Sequence, residues 1–553
     1  MLPRRLLLLV VLAAGWVLWL LVEPAAAVPA APVVRELRQP DGHGFAGRQW
    51  GDEHAHGWET TDGYSVVRDH DSGFWEYGVP GAHGRLVASG RRPGQQPPPG
   101  PRHLRPQETS AASSGSPARA PAAGADSTYA MMATATPSYS ATVTGHVGVE
   151  RSLVLLVSFD DQRPSTSVAD WAGRYFGTRN SVRDYFDQVS YGALTFAPAI
   201  ESHRRGDGVV GWLNLGRRHP DFEHLPEDTR WVAQAQLTAA ALRAANPYVR
   251  FGRYDRNDDG MLSKDELHIT VIVAGREASF GGLNTDNVVW GHQADLFAVG
   301  AAVTLDGVVI GDGYTMFGER HGAHMATLGI MVHEMGHDID WPDLYDVGDG
   351  GEGVGAWSIM ASGAWLSAGG RPGSKPSHPD AFLKYYQGWI EPLLLRGSHT
   401  GVTLRRSSAP TAPTVVRLGR NPYGVDWRFL GYSGRGEYFL VENRQRSGYD
   451  AGLPGCGLLV WHVDETRTPS NFANAVDARK LVDLEEADGR NELDRDWVAD
   501  SGDPYNGDVT GFSWSTYPDS DLYSGARSGA AVTRVQRRDC ATPGPMTADF
   551  VGP

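Results

Sequence analysis

Leu328-Gly329-Ile330-Met331-Val332-His333-Glu334-Met335-Gly336-His337 is the run on which the reading of this chain turns. Leu328, Ile330, Met331 and Val332 predict a helix over about 327–337 that is apolar almost all round and therefore buried. His333 and His337 are four apart, so both imidazoles share one face, one turn apart, where they can hold one metal ion. Buried histidines need partners, and zinc supplies one. Glu334 then projects beside the metal, placed to take a proton from an activated water and pass it to a leaving amine. A surface helix with incidental histidines is the plainer reading, and the apolar run argues against it.

A third ligand is needed. Asp338-Ile339-Asp340-Trp341-Pro342-Asp343-Leu344-Tyr345-Asp346 follows the second histidine. Pro342 forbids a continuing helix, so the chain must turn near Asp340. A tight turn brings Asp343 back toward the metal, with Asp340 and Asp346 as rivals.

This motif, with Asp343, resembles the metzincin clan of zinc peptidases. The resemblance implies a methionine turn beneath the zinc, and Trp357-Ser358-Ile359-Met360-Ala361-Ser362-Gly363 matches it through Met360. Clan members carry glycine three residues after the second histidine, where this chain has Asp340, a residue that tolerates the left-handed conformation better than most. A narrower resemblance, to the secreted bacterial immune-inhibitor-A-like metallopeptidases, covers nearly the whole chain. It rests on Val182 to Phe186 with Ser190-Tyr191-Gly192, His268 to Ala274, His333 to Asp346, Glu437 to Arg444 and Leu458 to Asp464. Gln49 to Glu53 and Gly57 to Thr60 fit that family's propeptide. The family implies a secreted endopeptidase made as a zymogen.

The rest of the chain agrees with export. Arg4 and Arg5, the apolar run Leu6 to Val22 and Pro24-Ala25-Ala26-Ala27 read as a signal peptide over 1–27, with an uncleaved anchor as the alternative. Aromatic and polar residues alternate through Trp50, Trp58, Tyr64, Trp75 and Tyr77, so 28–90 reads as a small β-rich prodomain. Residues 91–145, rich in Pro, Ala and Ser, form a cleavable linker. Asp52, Glu53, His54 or His56 could reach the zinc from the prodomain, with Asp52 preferred. Residues 146–400 form the catalytic domain, with helices near 181–188, 227–244 and 379–387, the last capped by Ser377. Residues 401–553 form a β-sandwich-like domain. The expected class is α+β.

Asp255, Asn257, Asp259, Met261 (through its carbonyl), Ser263 and Glu266 occupy the ligand positions of a twelve-residue EF-hand loop, with Gly260 at its sharp turn, and predict calcium. His462, Asp464, Glu465, Asp483, Glu485, Glu486 and Asp488 could hold a second calcium or shape the cleft, although such runs are more often solvated loops. Cys456 and Cys540, an even pair in an exported chain, suggest one disulfide. Length, 553 residues, points to two or three domains. A net charge of −15 excludes a nucleic-acid binder. Protein or peptide substrates, a monomeric state and no membrane partner after signal removal complete the expectation. The alternative is a calcium-stabilised cell-surface binding protein with a vestigial zinc site; a zinc hydrolase acting on another bond is a third reading.

Overall fold

The computed structural model describes residues 28–106 and 145–553, apart from 70, 82–84, 204–205, 282–286, 348–350, 496–497 and 508–510. The expected signal peptide and most of the expected linker lie outside the described residues. Among the described residues no helix is long and apolar enough to cross a membrane. The molecule is mixed α/β with more strand than helix.

The N-terminal unit is one antiparallel sheet of six strands, each beside its successor in sequence, running from Arg35–Arg38 to Leu86–Ala88. Short alternating strands suit it, and tight turns at Gly63 and Gly73, both at positive φ, reverse the chain. Leu37, Trp58, Val66, Trp75 and Tyr77 form its core together with Ala278, Val288 and Trp290 from the central unit. Residues up to 106 stay against this sheet: His103 N donates to Gly63 O at 2.7 Å, and Arg105 reaches Glu59 at 3.1 Å.

The central unit is built on a largely parallel sheet. His268–Glu277 lies between Gly148–Ser158 and Gly313–His321, parallel to both. Long connections carry the chain between these strands, with helices in the first and a 3-10 turn and short strands in the second, so they run parallel where hairpins would make them antiparallel. The period of two sorts their side chains. Val154, Leu156, Ile272 and Phe317 face one core, shared with helices Val168–Phe176, Val182–Val189 and Leu328–Asp338. Leu153, Leu155, Val271, Val273 and Met316 face the other, under helix Glu227–Ala245. Helix Ala381–Tyr386 is capped by Asp380, whose Oδ1 accepts from Phe382 N and Leu383 N, and not by Ser377 as expected. Asp380 immediately precedes the first helical residue, the position a cap must hold, while the Ser377 carbonyl accepts from Tyr185.

Beyond residue 392 two sheets face each other, one of five strands and one of three. Val416, Leu418, Phe439, Val441, Leu458 and Val460 meet Leu404, Val532, Met546 and Phe550 between them. The opposite side of the five-stranded sheet, with Leu440, Leu459 and Trp461, joins the core around helix Leu328–Asp338. Cys456 and Cys540 are bonded.

Candidate active site

All eleven residues of helix Leu328–Asp338 are buried. Gly336 is required by packing, since a Cβ there would stand 2.6 Å from Met360 Sδ and 2.8 Å from Trp341. Met360 therefore lies directly against the helix between the two histidines. The chain leaves the helix at Asp340, whose φ of +67° is the left-handed turn expected at that position. Lys264 Nζ holds this turn, 2.5 Å from Asp340 Oδ1.

The turn returns Asp343 to the histidines. Asp343 Oδ1 is 3.2 Å from His333 Nε2 and 3.3 Å from His337 Nε2, and the two nitrogens are 3.2 Å apart. Ligand atoms about 2.0–2.1 Å from a tetrahedral ion stand about 3.3–3.4 Å from one another, so this near-equilateral triangle has the dimensions of one face of a zinc site. Each imidazole has its other nitrogen on a backbone carbonyl at 2.8 Å, His333 Nδ1 on Ile359 O and His337 Nδ1 on Trp341 O. These bonds place the proton on Nδ1 and leave both Nε2 lone pairs pointing into the triangle. Asp343 Oδ1 is buried and receives no hydrogen from any described residue. Two lone pairs and an orphaned carboxylate oxygen converging on one point fit a cation. Asp340 and Asp346 lie outside this group.

Sequence reasoning missed Asn471. It grips Asp343 twice: its Oδ1 accepts from the Asp343 amide at 2.7 Å, and its Nδ2 donates to Asp343 Oδ2 at 2.5 Å. At 128 residues' separation, no local pattern marks it.

Glu334 stands beside the triangle, fully buried. Burial, then the charges of Glu53 and Asp343, push its carboxyl well above the usual range. Its Oε1 accepts from the backbone nitrogen of Val28 at 3.0 Å. Val28 belongs to a strap laid along the cleft: Trp290 Nε1 donates to Val28 O, Trp365 Nε1 to Pro29 O, and Ala31 N to Ser279 O. Of the four prodomain candidates, Asp52 is occupied by its own turn, its Oδ1 accepting from the amides of His54 and Ala55. His56 stacks on Trp290, and His54 Nε2 lies 3.0 Å from Glu53 Oε1. Glu53 is the one whose charge bears most on Glu334. His292 is a core histidine, between Trp290 O and Tyr314 Oη.

Beneath the helix lies a second ionic group. His268 bridges Asp338 Oδ2 at 2.6 Å and Glu150 Oε2 at 2.7 Å. Both ring nitrogens face carboxylates, so the ring is an imidazolium; burial opposes this, but the two acids raise it to about 9. The pair ties the end of the helix to two strands of the sheet.

The Asp255–Glu266 loop is folded differently from the triad. Asp255 Oδ2 accepts from the Gly260 amide at 3.0 Å, and Asp259 N lies 3.2 Å from Asp255 Oδ1 and 3.1 Å from Asn257 Oδ1. Glu266 is turned to other partners, the amides of Arg256 and Ser263.

Residues 179–390 match the family described as immune inhibitor A peptidase M6, catalytic domain. The chain is 28% identical to immune inhibitor A of Bacillus thuringiensis subsp. alesti over 285 residues, 43% of this chain and 40% of that one. It is 32% identical over 213 residues to the pre-pro-metalloprotease PrtV of Vibrio cholerae serotype O1, 34% of this chain and 23% of that one. The chain thus spans less than half the length of these relatives. The matched segment contains helix, triangle and methionine, and over it the chain is similar to the immune inhibitor A peptidases.

Proposed function

We propose that this protein is an exported zinc-dependent endopeptidase made as a zymogen. The triangle of His333, His337 and Asp343 carries the reading, because its edges match a zinc site and its outer bonds fix the ligands. Zinc held there supplies Lewis acidity and lowers the pKa of its water to about 7. Glu334, one residue along the helix from His333, accepts the proton released by the attacking water and donates it to the departing amine. The apolar helix and Met360 exclude bulk solvent from below. The intact Glu334 counts against a vestigial site in a binding protein, where a residue that is not a ligand is free to change.

Latency is the second part of the reading. The strap Val28 to Val33 lies along the cleft, with the Val28 nitrogen donating to Glu334 Oε1. Removal of residues 1–27 turns that nitrogen into an α-amine beside a carboxylate. Glu53 is buried close to Glu334 and Asp343, and burial raises its carboxyl to about 8. Cutting the chain within 107–144 frees this unit. Calcium in the Asp255–Glu266 loop is the third part: the Asp255 and Gly260 contact is already that of an EF-hand turn, and Glu266 must exchange its amide partners for the ion.

One experiment tests the core. Cleaved wild-type protein should digest casein, and Glu334→Ala should fall by about 10²–10⁴-fold with zinc content equal in both. Casein cleavage by Glu334→Ala at the wild-type rate would overturn the assignment of the base. Zinc retention with ester but no peptide cleavage would favour another hydrolase.

A further inference from the structure

We propose that the loop region 486–503 in the C-terminal half is a second, separate calcium site, formed by Glu486, Asp488, Glu492, Asp500 and Asp503. Ligand atoms of Glu486, Asp488 and Glu492 lie within 4.8 Å of one another, as do those of Glu492, Asp500 and Asp503, so Glu492 joins the two groups. A Cβ on Gly502 would collide with Asp488 and meet Asp500 Oδ1 at 3.0 Å; only glycine lets these carboxylates close.

Crowded acids alone would not make a site. The independent sign is Asp503, which is 1% exposed. Its Oδ2 accepts from Trp357 Nε1 at 2.7 Å and from the Asp500 amide at 3.1 Å. Its Oδ1 is buried and meets no donor among the described residues, and the same holds for Glu492 Oε2. A buried carboxylate oxygen without a donor forfeits its hydration for nothing. The cation recorded beside the group, Arg490, lies 3.4 Å from both Asp488 and Glu492 on a side chain 64% exposed, too solvated to neutralise them.

The donor set is all oxygen, with no histidine or cysteine, and offers more carboxylates than a four-coordinate ion takes. Such a set selects calcium over zinc. Of the acidic run noticed in the sequence, only Glu486 and Asp488 take part; His462 lies instead between Glu437 and Glu485, 3.2 Å from each. The loop also grips the segment leading to Met360. Asp503 holds Trp357, Leu493 O accepts from Glu352 N at 3.2 Å, and Glu486 Oε1 accepts from Leu493 N. An ion here braces the floor of the cleft from outside it.

The site does not depend on peptidase activity. The test counts calcium bound per chain in full-length protein carrying Glu334→Ala, stripped with chelator and dialysed against calcium chloride. Adding Glu492→Gln should lose one calcium per chain, and Asp500→Asn should do the same. Adding Glu266→Gln should still leave one. A folded Glu492→Gln or Asp500→Asn chain that keeps every calcium of its parent overturns the proposal. So does a Glu266→Gln chain that binds none, an outcome that requires neither loop variant to fold.

Discussion

The His333, His337, Asp343 triangle and the Asp255–Glu266 loop are two candidate metal sites built in opposite ways. In the triangle each ligand has a second bond that fixes it: a carbonyl for each histidine, Asn471 for the aspartate. The ligands sit on a buried helix and the turn that ends it, so geometry precedes the ion. In the loop the carboxylates are held by the backbone of the loop itself, and Glu266 caps the amides of Arg256 and Ser263. There the ion must compete with hydrogen bonds and reorder the chain. A site of the first kind selects its metal, whereas one of the second kind converts metal into stability.

The contrast can be broken most severely at the helix. His337→Ala should reduce bound zinc from one per chain to near zero, read by metal analysis, while the melting temperature still rises with calcium. Loss of the calcium response in that variant would mean that the two sites are not independent. Asn471→Ala leaves all three ligands in place and should weaken zinc by about 10–100-fold in a chelator competition. Unchanged affinity would show that Asp343 is positioned by its turn alone. Glu266→Gln should leave zinc untouched and abolish the stabilisation by calcium, about 2.7 kcal/mol at a hundredfold excess over Kd, read from melting curves with and without chelator.

The smallest effect is confined to alkaline pH. His268 is raised from its ordinary 6.5 to about 9 by Asp338 and Glu150 against the cost of burial. Its contribution to stability is therefore complete below about 6.5 and is lost as pH rises through about 9. His268→Gln should flatten the fall in unfolding free energy between pH 7 and pH 10. An equal fall in both chains would assign it to other groups.

Much of this was legible because it is local. Helix spacing at His333 and His337 and the proline that turns the chain lie within a dozen residues. Strands such as His268–Glu277 and Gly457–Asp464 announced themselves as apolar runs. Cysteine parity anticipated the disulfide, which closes a separation of 84 residues and in a chain-entropy account stabilises by about 4.5 kcal/mol. What could not be read is what arrives from elsewhere. Asn471 reaches the triangle from the C-terminal half, Asp503 holds Trp357 from the same half, and Val28 reaches Glu334 from the opposite end. The expected cap at Ser377 failed by three residues, within the ordinary slack of element boundaries.

The grip of Asn471 on Asp343 also bears on where one protein ends and another begins. The segment that matches the family's catalytic domain stops at residue 390, and Asn471 lies beyond it. A chain shortened to that segment would keep His333, Glu334, His337, Asp343 and Met360, yet leave Asp343 without its two bonds to Asn471. Shuffling of this segment onto other partners in evolution would then succeed only where the newcomer brings an amide to the same spot. The heritable module and the working one have different borders.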